Sequence, residues 1–326
     1  MIADVMFFDT FSIFSITLIG ALVILSVCGF IGNININSGD GSVNISGVDA
    51  QMDFVADSTE KLDAEEASEI IINNPVGNVS VVAGEPGVVL LVKKLYLPKA
   101  TPEEEKKRTK DIFAKEVLKK NAEKIEVTVP SMPVMGVMTA KVDLDITVPV
   151  IFSLSQVAGV NDISVEDLEG RVELQNNVGN INVKRLKGVV IVHTNSGSIT
   201  AHELKKVSSL TANAGNISAS ALDIPEGNVN IVSHVGNIEL DINNVSSGAN
   251  CQVKSNTGNA TVLINREASA TIEAVTNMGK LDVDPNIQIV SKGQSFMGGS
   301  VVAMVNKQGG KINVSSNTGT ISLKLK

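Results

Sequence analysis

The sequence predicts an all-β fold whose main part is a β-solenoid, a single-chain β-helix of 18–22-residue coils, with one inserted α-helix and an N-terminal transmembrane helix. The first observation behind this prediction is a short phrase that occurs six times: Asn, any residue, Gly, a small polar residue (once Lys), then an aliphatic residue. A seventh copy has His234 in place of the asparagine. Most steps between the copies are 18 to 22 residues, a period typical of stacked repeats. The glycines of the seven copies are Gly179, Gly197, Gly215, Gly236, Gly258, Gly279 and Gly319.

The second observation is the alternation of apolar and polar residues on both sides of each glycine. In the Gly179 unit, Val172 and Leu174 precede the glycine, Ile181 and Val183 follow it, and polar residues lie between them. Apolar residues two apart are typical of a half-buried strand, so each unit is predicted to be two short strands that meet at a corner. The first apolar residues after the glycines should share one interior column: Ile181, Ile199, Ile217, Ile238, Ala260, Leu281 and Ile321.

The residues at the corner have a mechanical explanation. A sharp turn between strands requires a positive φ, which glycine adopts freely and asparagine adopts better than most residues. Stacked units would also place asparagine above asparagine, so that the side-chain amides form a hydrogen-bonded ladder. The alternative is that these asparagines bind a ligand. One unit alone buries too few aliphatic side chains to offset the entropy of ordering its backbone, and the units are therefore expected to stack.

Residues 1–32 are predicted to be a transmembrane anchor. Residues 11–31 are almost entirely apolar, and no charge occurs between Asp9 and Asp40. A stretch of about 20 apolar residues can span a bilayer as a helix. A cleaved signal peptide is the alternative, but the segment lacks the basic residues that normally precede one. Because no Lys or Arg occurs before Lys61, the positive-inside rule does not specify an orientation.

The next region, residues 33–69, is predicted to be a tether or first coil. Gly41 fits the repeat template, which favours a pair of strands there, and the acidic residues 60–69 are predicted to form a loop or a helical turn. Neither prediction assigns a function to the region.

Residues 70–150 are predicted to be a β region with an inserted helix at 102–121. Thr101 is the expected N-cap of this helix, and Glu104 would complete a capping box. The helix either lies on the surface of the sheet or caps an open end of the stack.

Residues 151–326 are predicted to be the repeat domain. The step from Gly279 to Gly319 is double length, which predicts one irregular coil between them. Lys324 and Lys326 alternate with leucines in the last strand. These lysines are expected to discourage further strands from pairing with an exposed edge.

The composition argues against two classes of partner. The net charge is −8, whereas nucleic-acid binding requires clustered basic residues. Aromatic residues are few, with no Trp and a single tyrosine, Tyr96. Sugar-binding sites usually contain aromatic side chains on which the sugar ring packs, and such residues are nearly absent from the sequence.

No residue is assigned a catalytic, cofactor-binding or metal-binding role. His193, His202 and His234 come from adjacent units and could form a surface cluster, but a metal site would need further ligands. The pairs Asp143/Asp145 and Asp282/Asp284 each share a face and could bind calcium or act on a glycoside bond. The more common explanation is the solvated side of a strand. Cys28 and Cys251 are not expected to form a disulfide.

The pattern resembles the prokaryotic putative adhesin family and its relative, the head GIN domain. The resemblance is carried by the strand at 142–149, by Leu168-Glu169-Gly170 and by the recurring Gly-Asn-Ile, and it covers about residues 70–326. It implies a β-solenoid domain displayed from the cell envelope, often behind a membrane anchor. It implies no catalytic residues.

The predicted protein is a single-pass membrane protein with an extracytoplasmic solenoid domain. It is expected to act as an adhesin-like or structural binding module without catalysis or cofactor, attached to the membrane through residues 11–31. A surface protein or a glycan is the expected partner, and nucleic acid is not. The alternatives are a self-associating envelope scaffold and, as a weaker possibility, a polysaccharide-acting enzyme.

Overall fold

The structure is a computed structural model, and it describes residues 33–37, 42–46, 52–135, 138–294 and 297–326. These residues are nearly all-β with one α-helix, which confirms the predicted all-β class. The predicted anchor, residues 11–31, lies outside them. Within the described ranges, no helix has both the length and the apolar character needed to cross a membrane.

The strands are numbered in chain order. The N-terminal part contains β1 (Asn33–Asn37), β2 (Ser42–Ser46), β3 (Met52–Asp63), β4 (Glu69–Val76), β5 (Val79–Gly84), β6 (Val88–Pro98), α1 (Glu103–Phe113), β7 (Leu118–Asn121), β8 (Lys124–Thr128), β9 (Val134–Met135), β10 (Met138–Thr139) and β11 (Lys141–Pro149). The repeat part begins with β12 (Ser153–Val160), β13 (Ile163–Glu166), β14 (Val172–Val178), β15 (Ile181–Ser196), β16 (Ile199–Ala214), β17 (Ile217–Ile224), β18 (Gly227–Val235) and β19 (Ile238–Val245). It ends with β20 (Ala249–Thr257), β21 (Ala260–Ile264), β22 (Ala270–Met278), β23 (Leu281–Val283), β24 (Gln288–Gln294), β25 (Gly299–Val305), β26 (Gly310–Thr318) and β27 (Ile321–Leu325).

Strands of successive units pair in parallel and in register. Ile181 lies opposite Ile199, Ile199 opposite Ile217, and Ile217 opposite Ile238. All four side chains are buried and belong to one hydrophobic cluster. The predicted interior column is therefore present, because the same position of each unit faces the same interior.

Glycine is required at the first corner for two reasons, the backbone conformation and the close approach of the neighbouring unit. Gly197 has a φ of +145°, which side chains of L-residues rarely adopt. A Cβ at Gly197 would also lie 2.0 Å from the carbonyl oxygen of Gly179, the corner of the neighbouring unit. The glycines thus let the corners of adjacent units approach closely.

A second corner, which the sequence did not predict, lies six residues after the first. It is formed by residues other than glycine that adopt a left-handed conformation: Asp167, Arg185, Glu203 and Ala221. Each is followed by a fully buried leucine: Leu168, Leu186, Leu204 and Leu222. This corner returns the chain toward the interior before the next unit begins.

The last unit of the chain is out of order in the stack. Strand β26 pairs in parallel with β20 on one side and with β22 on the other. Likewise, β27 pairs with β21 and β23. The prediction that the C-terminal lysines protect an exposed edge was therefore wrong, because β27 has a neighbour on both sides. The Nζ of Lys326 instead contacts the side chains of Asp241 and Asn243.

The segment between β23 and β26 is an antiparallel excursion and not the single irregular coil that was predicted. Strand β25 pairs antiparallel with β22, and β24 pairs antiparallel with β25. All seven residues of β24 are exposed. Of the strands that the structure describes, only β25 pairs with β24, so β24 forms the edge at this end of the sheet.

The other end of the stack is closed by antiparallel strands and α1. Strand β11 pairs with β5 in parallel and with β6 antiparallel, and β3 pairs with β6. Residues 52–63 are thus a strand of the main sheet, whereas residues 60–69 were predicted to be a loop or helical turn. The separate pair of β1 and β2 is antiparallel, unlike a coil of the parallel stack.

The observed helix is shorter than the predicted 102–121. It ends at Phe113, and Leu118–Asn121 forms β7. Leu118 is buried, and Lys93 binds the carbonyl oxygens of Phe113 and Lys115, which fixes the chain as it leaves the helix.

The N-cap of the helix is Pro102 and not the predicted Thr101. The hydroxyl of Thr101 donates to the carbonyl oxygen of Pro98 at 2.6 Å, and Pro102 is the N-cap, without a side-chain hydrogen bond. The helix packs on the end of the sheet with Thr109 and Phe113 buried.

Candidate binding groove

A groove of about 410 Å³ lies on the outer face of the strands that follow the first corner, near the end of the stack that α1 covers. Its floor comes from β5, β13 and β15, whose apolar residues point inward and leave the polar residues between them facing out. The polar residues of the floor are Asn78, Ser80, Asp162, Ser164, Asn180 and Asn182. Its rim comes from β6 and β11 and carries Lys94, Tyr96, Asp143 and Asp145.

Strand register explains why these residues meet. Ser80 of β5 lies opposite Ser164 of β13, and Ser164 lies opposite Asn182 of β15. On the other side, Ser80 lies opposite Asp145 of β11. Side chains of neighbouring strands in register project to the same side of a sheet, so the groove is a direct result of stacking.

A ladder of side chains and backbone amides holds the floor in place. The backbone N–H of Asn78 donates to Asp143 at 2.6 Å, that of Asp162 to Asn78 at 3.3 Å, and that of Asn180 to Asp162 at 2.7 Å. The ladder continues at the same position through Ser198, Asn216, Asn237, Asn259 and Thr320. The floor is therefore preorganised by the same contacts that hold the coils together.

The floor also retains hydrogen-bonding capacity. Within the described part of the chain, the side chains of Ser80, Ser164 and Asn182 make no hydrogen bond, and Asn78 and Asn180 use only their Oδ1 atoms. Their amide N–H groups and hydroxyls are exposed to the groove. Convergent polar groups of this kind are typical of binding sites for polar ligands.

Charges on the rim are largely paired. The Nζ of Lys94 lies 2.6 Å from Asp145, and the Nζ of Lys141 lies 3.4 Å from Asp143. The hydrogen bond from Lys94 to Asp145 and the negative charge of that carboxylate raise the pKa of Lys94. Asp162, on the floor, forms no ion pair within the described ranges, so the remaining charge of the groove is negative.

The single tyrosine forms part of the groove wall. Its ring lies edge-to-face with Phe54, with 5.8 Å between the ring centroids. The Nζ of Lys141 lies 5.3 Å from the centroid of the Tyr96 ring. The sequence argued against a sugar platform because aromatic residues are few, but the structure places Tyr96 on the wall of a polar groove.

The predicted asparagine ladder runs along the first corner, apart from the groove. Asn195 donates to Asn177 at 3.0 Å, and Asn213 donates to Asn195 at 2.8 Å. Where His234 replaces the asparagine, its Nδ1 lies 2.9 Å from the Nδ2 of Asn256, so the histidine takes the place of an asparagine in this contact. This ladder explains the asparagines structurally.

The three histidines do not form a cluster. His193 contacts Asn195 at 3.1 Å, whereas His202 contacts Ser220 at 2.8 Å on the strand after the corner. His234 belongs to the corner ladder. Among the residues that the structure describes, no group of three or more His, Cys, Asp or Glu side chains could hold a metal ion.

The remaining candidates from the sequence are the Asp282/Asp284 pair and Cys251. Asp284 accepts hydrogen bonds from the backbone and side chain of Asn286, and these bonds lower the pKa of its carboxyl. Asp282 lies on β23 next to it. Cys251 is fully buried as a free thiol, and burial raises its pKa to about 12.

Comparisons with known proteins give a distant likeness. No family model matches the chain, so membership of the adhesin family stays a prediction. No curated protein matches it either. A putative cell adhesion protein from Clostridium sporogenes is 12% identical, with a TM-score of 0.31, over 83% of this chain and 99% of that chain. A putative adhesin from Bacteroides fragilis is 15% identical, with a TM-score of 0.43, over 83% of this chain and 97% of that chain.

Proposed function

We propose that the chain is a β-solenoid displayed outside the cell from a membrane anchor, and that it acts as an adhesin-like binding module without catalysis. The observation that carries the proposal is the groove, a surface held in place by the hydrogen-bond ladder, whose polar side chains keep free hydrogen-bonding groups. Such a surface binds ligands without needing to reorganise, which lowers the entropic cost of association.

The solenoid is supported by the parallel register of successive units. Each interior unit makes backbone hydrogen bonds to the unit before and after it, and the interior columns run from one unit to the next. Units that contact only their neighbours define a solenoid.

The membrane anchor is supported by the sequence of residues 11–31, which has the length and apolar character of a bilayer-spanning helix. An anchor at the N-terminus would leave the groove and the repeat domain on one side of the membrane. Display outside the cell gives a polar binding surface access to external partners.

The absence of catalysis is supported by the ion pairs of the groove. Asp145 lies 2.6 Å from the Nζ of Lys94, and Asp143 lies 3.4 Å from the Nζ of Lys141, so both carboxylates are engaged in ion pairs. Glycoside cleavage requires a pair of carboxyl groups that can act on the substrate. Turnover of polysaccharides in a degradation screen would contradict this part of the proposal.

The experiment that tests display is protease accessibility of the full chain on intact cells, with lysed cells as the control. We expect an antibody against the repeat domain to lose its signal on intact cells and on lysed cells alike. Cleavage only after lysis would place the domain inside and contradict the proposal.

A self-associating scaffold is the second candidate, because β24 is an open edge. Ile289 and Val290 of this strand are 47% and 57% exposed. A bulge between Ile289 and Ser291 and the charge of Lys292 oppose edge pairing, so we rank the binding module first. Sedimentation that stays monomeric as the protein concentration rises would remove the scaffold.

A further inference from the structure

We infer that the groove binds a neutral or amino-bearing saccharide and rejects saccharides that carry carboxylates. This inference deepens the proposed function and rests on it. It assigns the ligand class from the hydrogen-bonding groups, the charge and the aromatic wall of the groove.

The floor presents groups that match sugar hydroxyls. A hydroxyl both donates and accepts a hydrogen bond. The free amide N–H groups of Asn78 and Asn180 can donate, and the amide of Asn182 and the hydroxyls of Ser80 and Ser164 can serve either role. These groups recur from strand to strand at about 4.8 Å, which is close to the length of one pyranose ring. A short oligosaccharide lying along the stack would therefore meet a new set of partners at each coil.

The charge of the groove selects among saccharides. The Lys94–Asp145 and Lys141–Asp143 pairs leave Asp162 as the uncompensated charge. Its Oδ1 accepts the backbone N–H of Asn180, and its other oxygen has no partner within the described residues. A negative groove repels the carboxylates of uronic and sialic acids and attracts the ammonium group of an amino sugar.

Tyr96 supplies an apolar surface for the sugar ring. Its contacts with Phe54 and Lys141 hold the ring in one orientation. The flat face of an aromatic ring packs against the C–H groups of a pyranose, which complements the polar floor.

The test is calorimetric titration of the full chain in detergent with three probes. These are the tetrasaccharides built from glucosamine, from N-acetylglucosamine and from galacturonic acid. We expect the glucosamine tetramer to bind most tightly, the N-acetylated tetramer to bind more weakly, and the galacturonate tetramer not to bind. Tight binding of galacturonate, or binding of none of the three probes, would overturn the inference.

Two variants locate the site. Asp162→Asn keeps the acceptor for the N–H of Asn180 while removing the charge, so it should weaken glucosamine binding by about three- to tenfold and leave N-acetylglucosamine binding unchanged. Tyr96→Ala should weaken binding of both probes by about tenfold. Glu239→Gln is the matched control, because Glu239 lies outside the groove on the same outward face and loses the same charge.

The variants also give outcomes that overturn the inference. Unchanged glucosamine binding by Asp162→Asn would show that the charge of Asp162 does not select the ligand. An equal loss in Glu239→Gln would show that binding follows net charge and not the groove. A chain that is exposed on intact cells but binds no probe would overturn the saccharide inference alone. A chain protected inside intact cells would overturn the proposed function whatever it binds.

Discussion

Gly319 packs directly against Gly258, although the Gly279 unit lies between them in the sequence. A Cβ at Gly319 would lie 2.1 Å from the carbonyl oxygen of Gly258, and a Cβ at Gly279 would lie 2.0 Å from the carbonyl oxygen of Gly319. The last unit of the chain is therefore inserted between the Gly258 and Gly279 units. Strand β27 therefore lies inside the stack, whereas β24 is an open edge.

This insertion predicts which engineered cysteines can form a disulfide. Gln252 of β20 lies opposite Asn313 of β26, and Asn313 lies opposite Glu273 of β22. Paired strands are about 4.8 Å apart, within the range that a disulfide spans. We expect Gln252→Cys/Asn313→Cys to oxidise readily and Gln252→Cys/Glu273→Cys to remain reduced, as measured by mass spectrometry after proteolysis. Stacking in chain order would give the opposite result.

The corner glycine of the inserted last unit, Gly319, should tolerate no side chain. Gly319→Ala forces a left-handed conformation at a φ of +149° and a contact with the backbone of Gly258, so we expect a loss of about 3 kcal/mol or more in the free energy of unfolding. Gly87→Ala is the control, because Gly87 also has a positive φ but has open space around the added carbon. The control should cost about 1–2 kcal/mol. Equal losses in urea denaturation would show that close packing at the corner is unimportant.

Much of the repeat fold could be predicted because its determinants are local. A corner needs glycine, and a half-buried strand needs alternating residues, and both leave a pattern within a few residues. The insertion of the last unit leaves no such pattern, since each unit is compatible with any neighbour. The second corner was also missed because Asp167, Arg185, Glu203 and Ala221 share no residue type.

A buried glutamine gives a prediction of increased stability. Gln156 is 1% exposed between Ile72 and Leu174, and neither its Nε2 nor its Oε1 has a hydrogen-bond partner within the described residues. Burying an unsatisfied amide is unfavourable, so Gln156→Met should raise the free energy of unfolding by about 1–2 kcal/mol.

The control for this substitution is Gln175→Met, at an exposed position of the neighbouring strand β14. It should change stability by no more than about 0.5 kcal/mol. Chemical denaturation measures both variants. A loss of stability in Gln156→Met would mean that the amide is satisfied in solution.

The closed end of the stack depends on a buried lysine. Lys93 is 1% exposed, and its Nζ lies 2.6 Å from Glu60 and within 3.1 Å of the carbonyl oxygens of Phe113 and Lys115. Glu60 in turn accepts the N–H groups at the start of β7. Lys93→Met leaves the carboxylate without its partner and should cost about 3–5 kcal/mol.

The adjacent lysine is the matched control. Lys94 faces the groove, where its pair with Asp145 is solvent-exposed, so Lys94→Met should cost about 1 kcal/mol at most. Thermal denaturation followed by circular dichroism measures both. If Lys93→Met were as stable as the unsubstituted protein, the lysine would not hold the end of the stack together.

The groove was harder to predict than the fold. Asp143 and Asp145 were recognised as sharing a face, but Lys94 and Tyr96 come from β6 and Asp162 directly precedes β13, and only the register brings them together. For Lys94 and Tyr96, the sequence did contain a signal, which was their position within the strand. Lys94 and Tyr96 alternate with the buried Leu95 and Leu97 and therefore had to point outward.

The most direct test of the stack is a nuclear Overhauser experiment on protein with labelled isoleucine methyl groups. Residues in register on adjacent parallel strands lie about 4.8 Å apart, close enough for strong cross-peaks. We predict cross-peaks of Ile199 with Ile181 and with Ile217, and of Ile217 with Ile238. If these isoleucines instead showed cross-peaks to unrelated residues and none to one another, the stacked arrangement and the groove built on it would be contradicted.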